Sequence, residues 1–166
     1  KNQFEILVVD NGSYDSSIEV ARSFDKVIVL HEPRPSSYIA RNKGIKQSKG
    51  TIIAFIDSDC IASETWLENG LFHFNNSKNI NILGGKVTFY YSNEYNPNAF
   101  ELYDSISFMN QHANIKYHNF AITANLFVRL NIFYEVGFFN NTLKSAGDKE
   151  WGNRAYSLGH DLHYAS

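Results

Sequence analysis

Short apolar runs alternate with helical patterns through the first half of the chain. The apolar runs are Phe4 to Val9, Val27 to Leu30 and Thr51 to Ile56, and polar or turn-forming residues follow each of them. Runs this continuous are typical of strands that helices cover on both faces of a parallel sheet. The order β, α, β, α, β, α therefore predicts an α/β fold with an open, mostly parallel sheet flanked by helices. We expect these three runs to form neighbouring parallel strands of that sheet.

The helical patterns between these runs have recognisable features. Ser16 and Glu19 have the spacing of a capping box, and Ser37 to Ser48 forms the second pattern. The third pattern carries Trp66 and Phe74 at helical spacing. Because that spacing places both side chains on one helix face, we expect them in the core.

The second half of the chain is less regular. Its predicted elements are extended structure over Ile80 to Tyr91, a helix from Pro97 towards His112, a strand over Ala121 to Val128, a short helix over Ile132 to Val136, a last helix over Asp148 to Leu158, and a strand that starts at Asp161. With 166 residues and 43% hydrophobic content, the chain can bury one substantial core. We therefore expect a single domain over residues 1–166.

Charge and composition narrow the classes of function. A formal net charge of -2 lacks the basic surface that nucleic-acid binding requires, so no nucleic-acid partner is expected. No apolar run approaches the roughly 20 residues that cross a bilayer. Cys60 is the only cysteine, which excludes an internal disulfide and fits a reducing compartment. A cytoplasmic location is therefore predicted.

Two carboxylates, Asp57 and Asp59, directly follow the clearest predicted strand. Ligands of open α/β sheets bind outside the carboxyl ends of the strands, and adjacent carboxylates are costly unless a cation or hydrogen bonds compensate them. Mg²⁺ or Mn²⁺ commonly takes one or two carboxylates together with phosphate oxygens, so this pair suits a diphosphate ligand. The alternative interpretation is an acidic turn that caps the next helix.

Two other polar positions have open interpretations. Asp10 and Asn11 end the first predicted strand, where an oxygen of either side chain could accept the N3–H of a uracil-like base. Taken alone, this segment is simply a good turn. Asp148 begins the last predicted helix, where it is either a helix cap or a general base that takes the proton of an attacking hydroxyl.

Several segments occur in an order and spacing that chance rarely produces. They are Val8 to Asp15, Ala40 to Ile45, Gly50 to Asp59, Thr123 to Arg129, Phe133 to Phe139, and Gly147 to Trp151 with Arg154 and Gly159. In this order they resemble the family 2 inverting glycosyltransferases of the glycosyltransferase-A fold, a Rossmann-like fold that binds nucleoside diphosphate sugars. The resemblance runs almost from end to end of the chain.

The resemblance implies transfer of a sugar from a UDP-sugar donor to a saccharide or other hydroxyl acceptor, with inversion and with Mn²⁺ or Mg²⁺, in polysaccharide or glycoconjugate synthesis. It also implies peripheral association of the full-length protein with the inner face of the membrane. The implied site residues are Asp10 and Asn11 at the nucleotide base, Arg41 at the base or phosphate, Asp57 at the ribose, Asp59 at the metal ion, Asp148 as the catalytic base, and Glu150, Trp151 and Arg154 on the acceptor side.

The chain departs from the family pattern in two respects. The family often has a second Asp where this chain has Asn11. It also usually has a strand before Phe4 to Val9 and a continuation beyond Asp161 to Ala165. The chain is therefore expected to be truncated at both ends, and its activity in isolation is expected to be weakened or lost.

Two other functions compete with this interpretation. A haloacid dehalogenase-type phosphatase also has Asp-x-Asp after a strand, but normally after the first strand of its domain, whereas two strand and helix units precede Asp57 here. The other alternative is a catalytically silent module that binds a nucleotide sugar. The presence of both Asp59 and Asp148 argues against this second alternative.

Overall fold

The first half of the chain forms three strands, each followed by a helix. The structure is a computed structural model that describes residues 4–93, 95–107 and 109–166. The elements of the first half are β1 (Ile6–Asp10), α1 (Ser17–Arg22), β2 (Val27–His31), α2 (Ser37–Gln47), β3 (Ile52–Phe55) and α3 (Trp66–Asn76). The predicted alternation of strand and helix is confirmed.

The described residues of the second half add three strands and four helices. They are β4 (Ile82–Gly85), α4 (Ala99–Ser107), α5 (Gln111–His118), β5 (Leu126–Arg129), α6 (Leu130–Val136), α7 (Gly147–Ser157) and β6 (Leu162–Ala165). The helix predicted from Pro97 towards His112 corresponds to two helices, and Phe108 between them lies outside the described residues. Most of the strand predicted over Ala121 to Val128 is instead a loop with a short 3-10 turn, so β5 begins only at Leu126.

The six strands found in the described residues form two hydrogen-bonded sheets. Strands β1 and β2 pair in parallel, and the other sheet has the order β3-β5-β4-β6. Strand β4 is parallel to β6, whereas β5 runs antiparallel to both β3 and β4. The first residue of β5, Leu126, lies opposite Gly84 near the end of β4. The chain has therefore returned to the carboxyl edge of the sheet before β5 begins, and β5 must run in the opposite direction.

The predicted α/β fold is confirmed, and one detail of its strand pairing is corrected. The sequence predicted that β3 is a parallel neighbour of β1 and β2, but in the described chain β3 pairs with β5. The link from β1 to the start of β3 is made by a side chain, because a carboxylate oxygen of Glu5 accepts the backbone N–H groups of Lys49 and Gly50. In the described residues, β1 and β3 are thus linked by this side chain and not by backbone hydrogen bonds between the two strands.

Helices cover both faces of the four-stranded sheet. One face packs against α2, α5, α6 and α7 in a cluster whose centre is aromatic: the Phe133 and Trp151 rings are 4.8 Å apart, and the Phe55 and Phe139 rings are 5.8 Å apart. The other face packs against α3, which contributes Phe74 and the partly buried Trp66, as predicted. No helix in the described ranges is long and apolar enough to cross a membrane.

Candidate functional site

The carboxyl end of β1 holds a buried aspartate, Asp10. Its Oδ2 accepts the backbone N–H of Gly12 at 3.2 Å and the Nδ1–H of His31 at 2.9 Å, and its Oδ1 accepts the N–H of Ser13 at 3.1 Å. Hydrogen bonds from the Ser13 side chain and then from His31 hold the pKa of Asp10 well below its usual range. Asp10 is therefore an ionised hydrogen-bond acceptor at the carboxyl end of β1.

The neighbouring Asn11 is engaged with the backbone. Its Nδ2 donates to the carbonyl oxygens of Glu32 and Arg34, both at 2.7 Å, and its Oδ1 accepts the N–H of Ser36 at 2.8 Å. Both amide hydrogens are thus used. The structure therefore places Asn11 as a clasp between the loop after β1 and the loop before α2, and the base contact that the family resemblance implies stays a prediction.

A buried carboxylate that the sequence interpretation missed lies beside this clasp. Glu32 is 5% exposed and binds Arg34 twice, at 2.8 Å to Nε and 3.0 Å to Nη2, while the Lys43 ammonium lies 4.0 Å away. The Arg34 guanidinium lowers the pKa of Glu32 to about 2. A Glu-x-Arg segment directly after a predicted strand was the available signal. This group fixes the loop at the carboxyl end of β2.

The acidic segment after β3 is held from α2. Arg41 donates from Nη2 to Oδ1 of Asp57 at 2.8 Å, and both side chains are partly buried. Two residues from Asp57, Asp59 is exposed, and among the described residues its carboxylate has only a long contact of 3.9 Å, with the Cys60 thiol. Burial and the two carboxylates raise the pKa of that thiol, so Cys60 is a poor nucleophile.

The alternative that Asp57 and Asp59 cap a helix is wrong. The N-cap of α3 is Thr65, and no side chain accepts a capping hydrogen bond there. The Asp59 carboxylate instead suits a hard divalent cation, because it is exposed and lacks a cationic partner in the described chain. No three His, Cys, Asp or Glu side chains gather into a metal site within residues 4–93, 95–107 and 109–166. Other ligands to such a cation would have to come from the bound diphosphate or from water.

Asp148 lies in the first turn of α7, one residue after the helix begins. The N-cap is Ala146, a left-handed residue with φ 58°, and among residues 4–93, 95–107 and 109–166 the Asp148 carboxylate accepts only the adjacent N–H of Lys149, at 2.9 Å. The N-cap interpretation of Asp148 is therefore wrong, although a negative charge in the first turn still suits the helix dipole. Asp148 is partly exposed and carries no cationic partner in the described part of the chain.

The three residues expected on the acceptor side join α6 to α7. Trp151 is 1% exposed, and its indole Nε1 donates to the carbonyl of Gly137 at 2.7 Å. Arg154 binds Glu150 at 2.9 Å and donates to the carbonyl of Phe138 at 2.9 Å. The Trp151 indole thus packs in the core, and the Glu150 and Arg154 pair links α7 to the segment that follows α6. The acceptor-side role that the family resemblance implies for these three residues stays a prediction.

A sequence model of the family described as Glycosyl transferase family 2 matches residues 1–140. The glycosyltransferase AglE of Haloferax volcanii is 41% identical over 99% of this chain, and the match covers 55% of AglE. The glycosyltransferase YibD of Escherichia coli is 36% identical over 33% of this chain and 17% of its own length. The chain thus spans about half the length of AglE, the relative that it matches almost throughout.

Solved structures share the fold at low sequence identity. S. aureus TarS in complex with UDP-GlcNAc has a TM-score of 0.73 at 19% identity, over 98% of this chain and 47% of that chain. The mannosyltransferase PcManGT from Pyrobaculum calidifontis, in complex with GDP-Man and Mn²⁺, has a TM-score of 0.72 at 15% identity, over 96% of this chain and 45% of that chain. Both similarities confirm the predicted glycosyltransferase-A fold.

Proposed function

Because this chain belongs to glycosyl transferase family 2, we propose that it is part of an enzyme that transfers a sugar, with inversion, from a nucleotide-sugar donor to an acceptor hydroxyl. In that enzyme the chain binds the sugar donor and carries the catalytic base. The observation that carries the proposal is the pairing of Arg41 with Asp57 at 2.8 Å, beside the exposed Asp59. A haloacid dehalogenase-type phosphatase is ruled out by the family.

The ionised Asp10 carboxylate favours a donor base that carries a ring N–H, such as uracil, because a carboxylate accepts N–H groups. TarS, which has this fold, was solved with UDP-GlcNAc. A UDP-sugar is therefore the donor that we propose.

The acidic segment would hold the rest of the donor. Arg41 occupies Oδ1 of Asp57, which leaves Oδ2 to accept a ribose hydroxyl. Asp59 would hold Mn²⁺ or Mg²⁺ together with the diphosphate oxygens. When bound, such a cation offsets the negative charge that grows on the departing diphosphate. PcManGT, a protein with this fold, was solved in complex with GDP-Man and Mn²⁺, which supports such a cation.

Asp148 is the proposed general base. In one displacement, the acceptor oxygen forms a bond to the anomeric carbon, the bond from that carbon to the diphosphate oxygen breaks, and the hydroxyl proton passes to Asp148. In the part of the chain that the structure describes, only Oδ1 of its carboxylate is engaged, by a backbone N–H, which leaves Oδ2 for this step. A saccharide acceptor and a cytoplasmic position at the inner membrane face complete the proposal.

A donor screen on the full-length protein, which measures release of nucleoside diphosphate with Mn²⁺ or with a chelator, tests this function. We expect UDP release that needs the cation. Asp59→Asn should reduce UDP binding to the level measured with chelator, and Asp148→Asn should lower turnover by about 100-fold or more while UDP binding stays unchanged. Asp25→Asn, an exposed carboxylate before β2, is the matched control.

Each outcome of the screen has a clear meaning. Metal-dependent UDP binding without UDP release in the unaltered protein would show a silent binding module. UDP binding that is equally tight with chelator would contradict the role of Asp59. Near-normal turnover in Asp148→Asn would remove Asp148 as the base.

A further inference from the structure

Tyr38 is a buried tyrosine on α2 whose hydroxyl reaches another helix. The side chain is 6% exposed, and its ring packs against the Phe139 ring at 6.1 Å. The hydroxyl accepts the backbone N–H of Gly147 at 2.7 Å. Gly147 is the first residue of α7, and Asp148 follows it. The tyrosine thus binds the turn that carries the proposed base.

The start of α7 fits closely against the Tyr38 ring. A Cβ atom added to Gly147 would lie 2.5 Å from the ring carbon Cζ, a distance at which something must move. Only glycine permits this approach. The backbone at Gly147 is therefore held both by a hydrogen bond and by contact with the ring face, and its position depends on where α2 places Tyr38.

The same helix face also holds the donor side of the site. Arg41 lies three residues after Tyr38, so the two side chains share a helix face. The Arg41 guanidinium carbon is 5.7 Å from the centre of the Tyr38 ring, and Arg41 binds Asp57 at 2.8 Å. A continuous series of contacts therefore leads from Asp57 through Arg41 and Tyr38 to Gly147.

A second link keeps α2 and the segment before α7 in register. Asn42 accepts the N–H of Phe139 at 3.0 Å and donates to its carbonyl at 2.8 Å. These two bonds fix the backbone of Phe139, whose ring packs against Tyr38. The Phe139 ring, against which Tyr38 packs, is thus itself held to α2.

We propose that Tyr38 is a positioning residue that fixes the Asp148-bearing turn of α7 relative to the Arg41 and Asp57 pair. The functional part of this proposal rests on the proposed role of Asp148 as the base. The Tyr38 hydroxyl accepts the hydrogen bond from the Gly147 N–H, and contact with the Tyr38 ring sets the distance between α2 and the start of α7. Loss of the hydroxyl leaves the Gly147 N–H buried without an acceptor, so the first turn of α7 must shift or fray.

The test variant is Tyr38→Phe, which keeps the ring and removes only the hydroxyl. Tyr117→Phe, at an exposed tyrosine of α5, is the matched control. We expect faster hydrogen exchange at the first amides of α7 in Tyr38→Phe alone. With a UDP-sugar donor we expect kcat to fall by about 10- to 100-fold while the donor KM stays unchanged, because a small misplacement of a catalytic group acts on turnover. Thermal unfolding checks that both variants are folded.

The two measurements separate failure of this proposal from failure of the proposed function. Unchanged exchange at α7 in Tyr38→Phe would overturn the anchoring role, whether or not the protein is active. Faster exchange with a kcat equal to that of Tyr117→Phe would overturn the catalytic consequence. If the unaltered protein releases no UDP, the proposed function fails, and the exchange comparison alone decides whether Tyr38 anchors α7.

Discussion

An aspartate at position 11 would lose both donors that the Asn11 amide supplies to the carbonyls of Glu32 and Arg34. A carboxylate facing those carbonyls would also be repelled, because all the groups would be acceptors. We expect Asn11→Asp to lower the free energy of unfolding by about 1–2 kcal/mol, towards the lower end of the cost of unsatisfied groups because the site is partly open to solvent.

Urea denaturation measures this difference. Asn141→Asp, in an exposed turn, is the matched control and should change stability little. Equal stability of Asn11→Asp and the control would show that the Asn11 clasp does not contribute to the free energy of unfolding. The clasp itself could not be read from the sequence, because its three partners lie 21 to 25 residues away.

At the scale of elements, the helices and strands that the sequence predicts well are those whose pattern lies within one short stretch of the chain. Strand β3 and helix α2 follow from an apolar run and from a helical pattern, and both appear close to their predicted bounds. The capping box at Ser16 and Glu19 does not form, since Asp15 instead accepts the N–H of Ser17 at 3.0 Å. Such competition between neighbouring polar side chains depends on backbone angles that the pattern does not specify.

The residues of the candidate site divide in the same way, into those that a local pattern predicts and those that depend on distant contacts. The position of Asp59 after a strand was predictable, because a buried strand and its carboxyl end are visible as a pattern. The burial of Trp151 among Phe133 and Phe139 was not, because those contacts join residues of α6, α7 and the segment between them. The pairing of Glu150 with Arg154 is local, at four residues apart, but whether it faces a ligand or a neighbouring helix is decided by tertiary packing.

The loop between β2 and α2 should be sensitive to acid through Glu32. A carboxyl whose pKa is lower in the folded protein than in the unfolded chain stabilises the fold above the unfolded pKa. That stabilisation is lost as pH falls from 4.5, the ordinary value, towards about 2. We therefore expect the thermal midpoint of the unaltered protein to fall steeply over this range, and Glu32→Gln to show a weaker dependence. Glu68→Gln, an exposed glutamate on α3, should behave as the unaltered protein does.

At the scale of the whole molecule, the two sheets differ in how well they are buried. Strands β4 and β5 are buried, with Ile82, Leu126 and Val128 at 0% exposure. Strands β1 and β2 are half open, with Ile6 at 40% and Ile28 at 44% exposure. Polar contacts such as those of Glu5 and Asn11 link the smaller sheet to α2 and to the start of β3.

This difference predicts the order in which the molecule opens. Segments with few buried apolar contacts open at lower free energy than the core, so the amides of β1 and β2 should exchange faster than those of β4 and β5, by about tenfold or more. Glu5→Ala removes the carboxylate that accepts the N–H groups of Lys49 and Gly50. It should speed exchange in β1 and β2 and leave β4 and β5 unchanged, whereas Glu68→Ala should alter neither sheet. Equal exchange in all four strands would show that the two sheets open as one cooperative unit, and that the half-exposed strands owe their stability to contacts other than the polar ones.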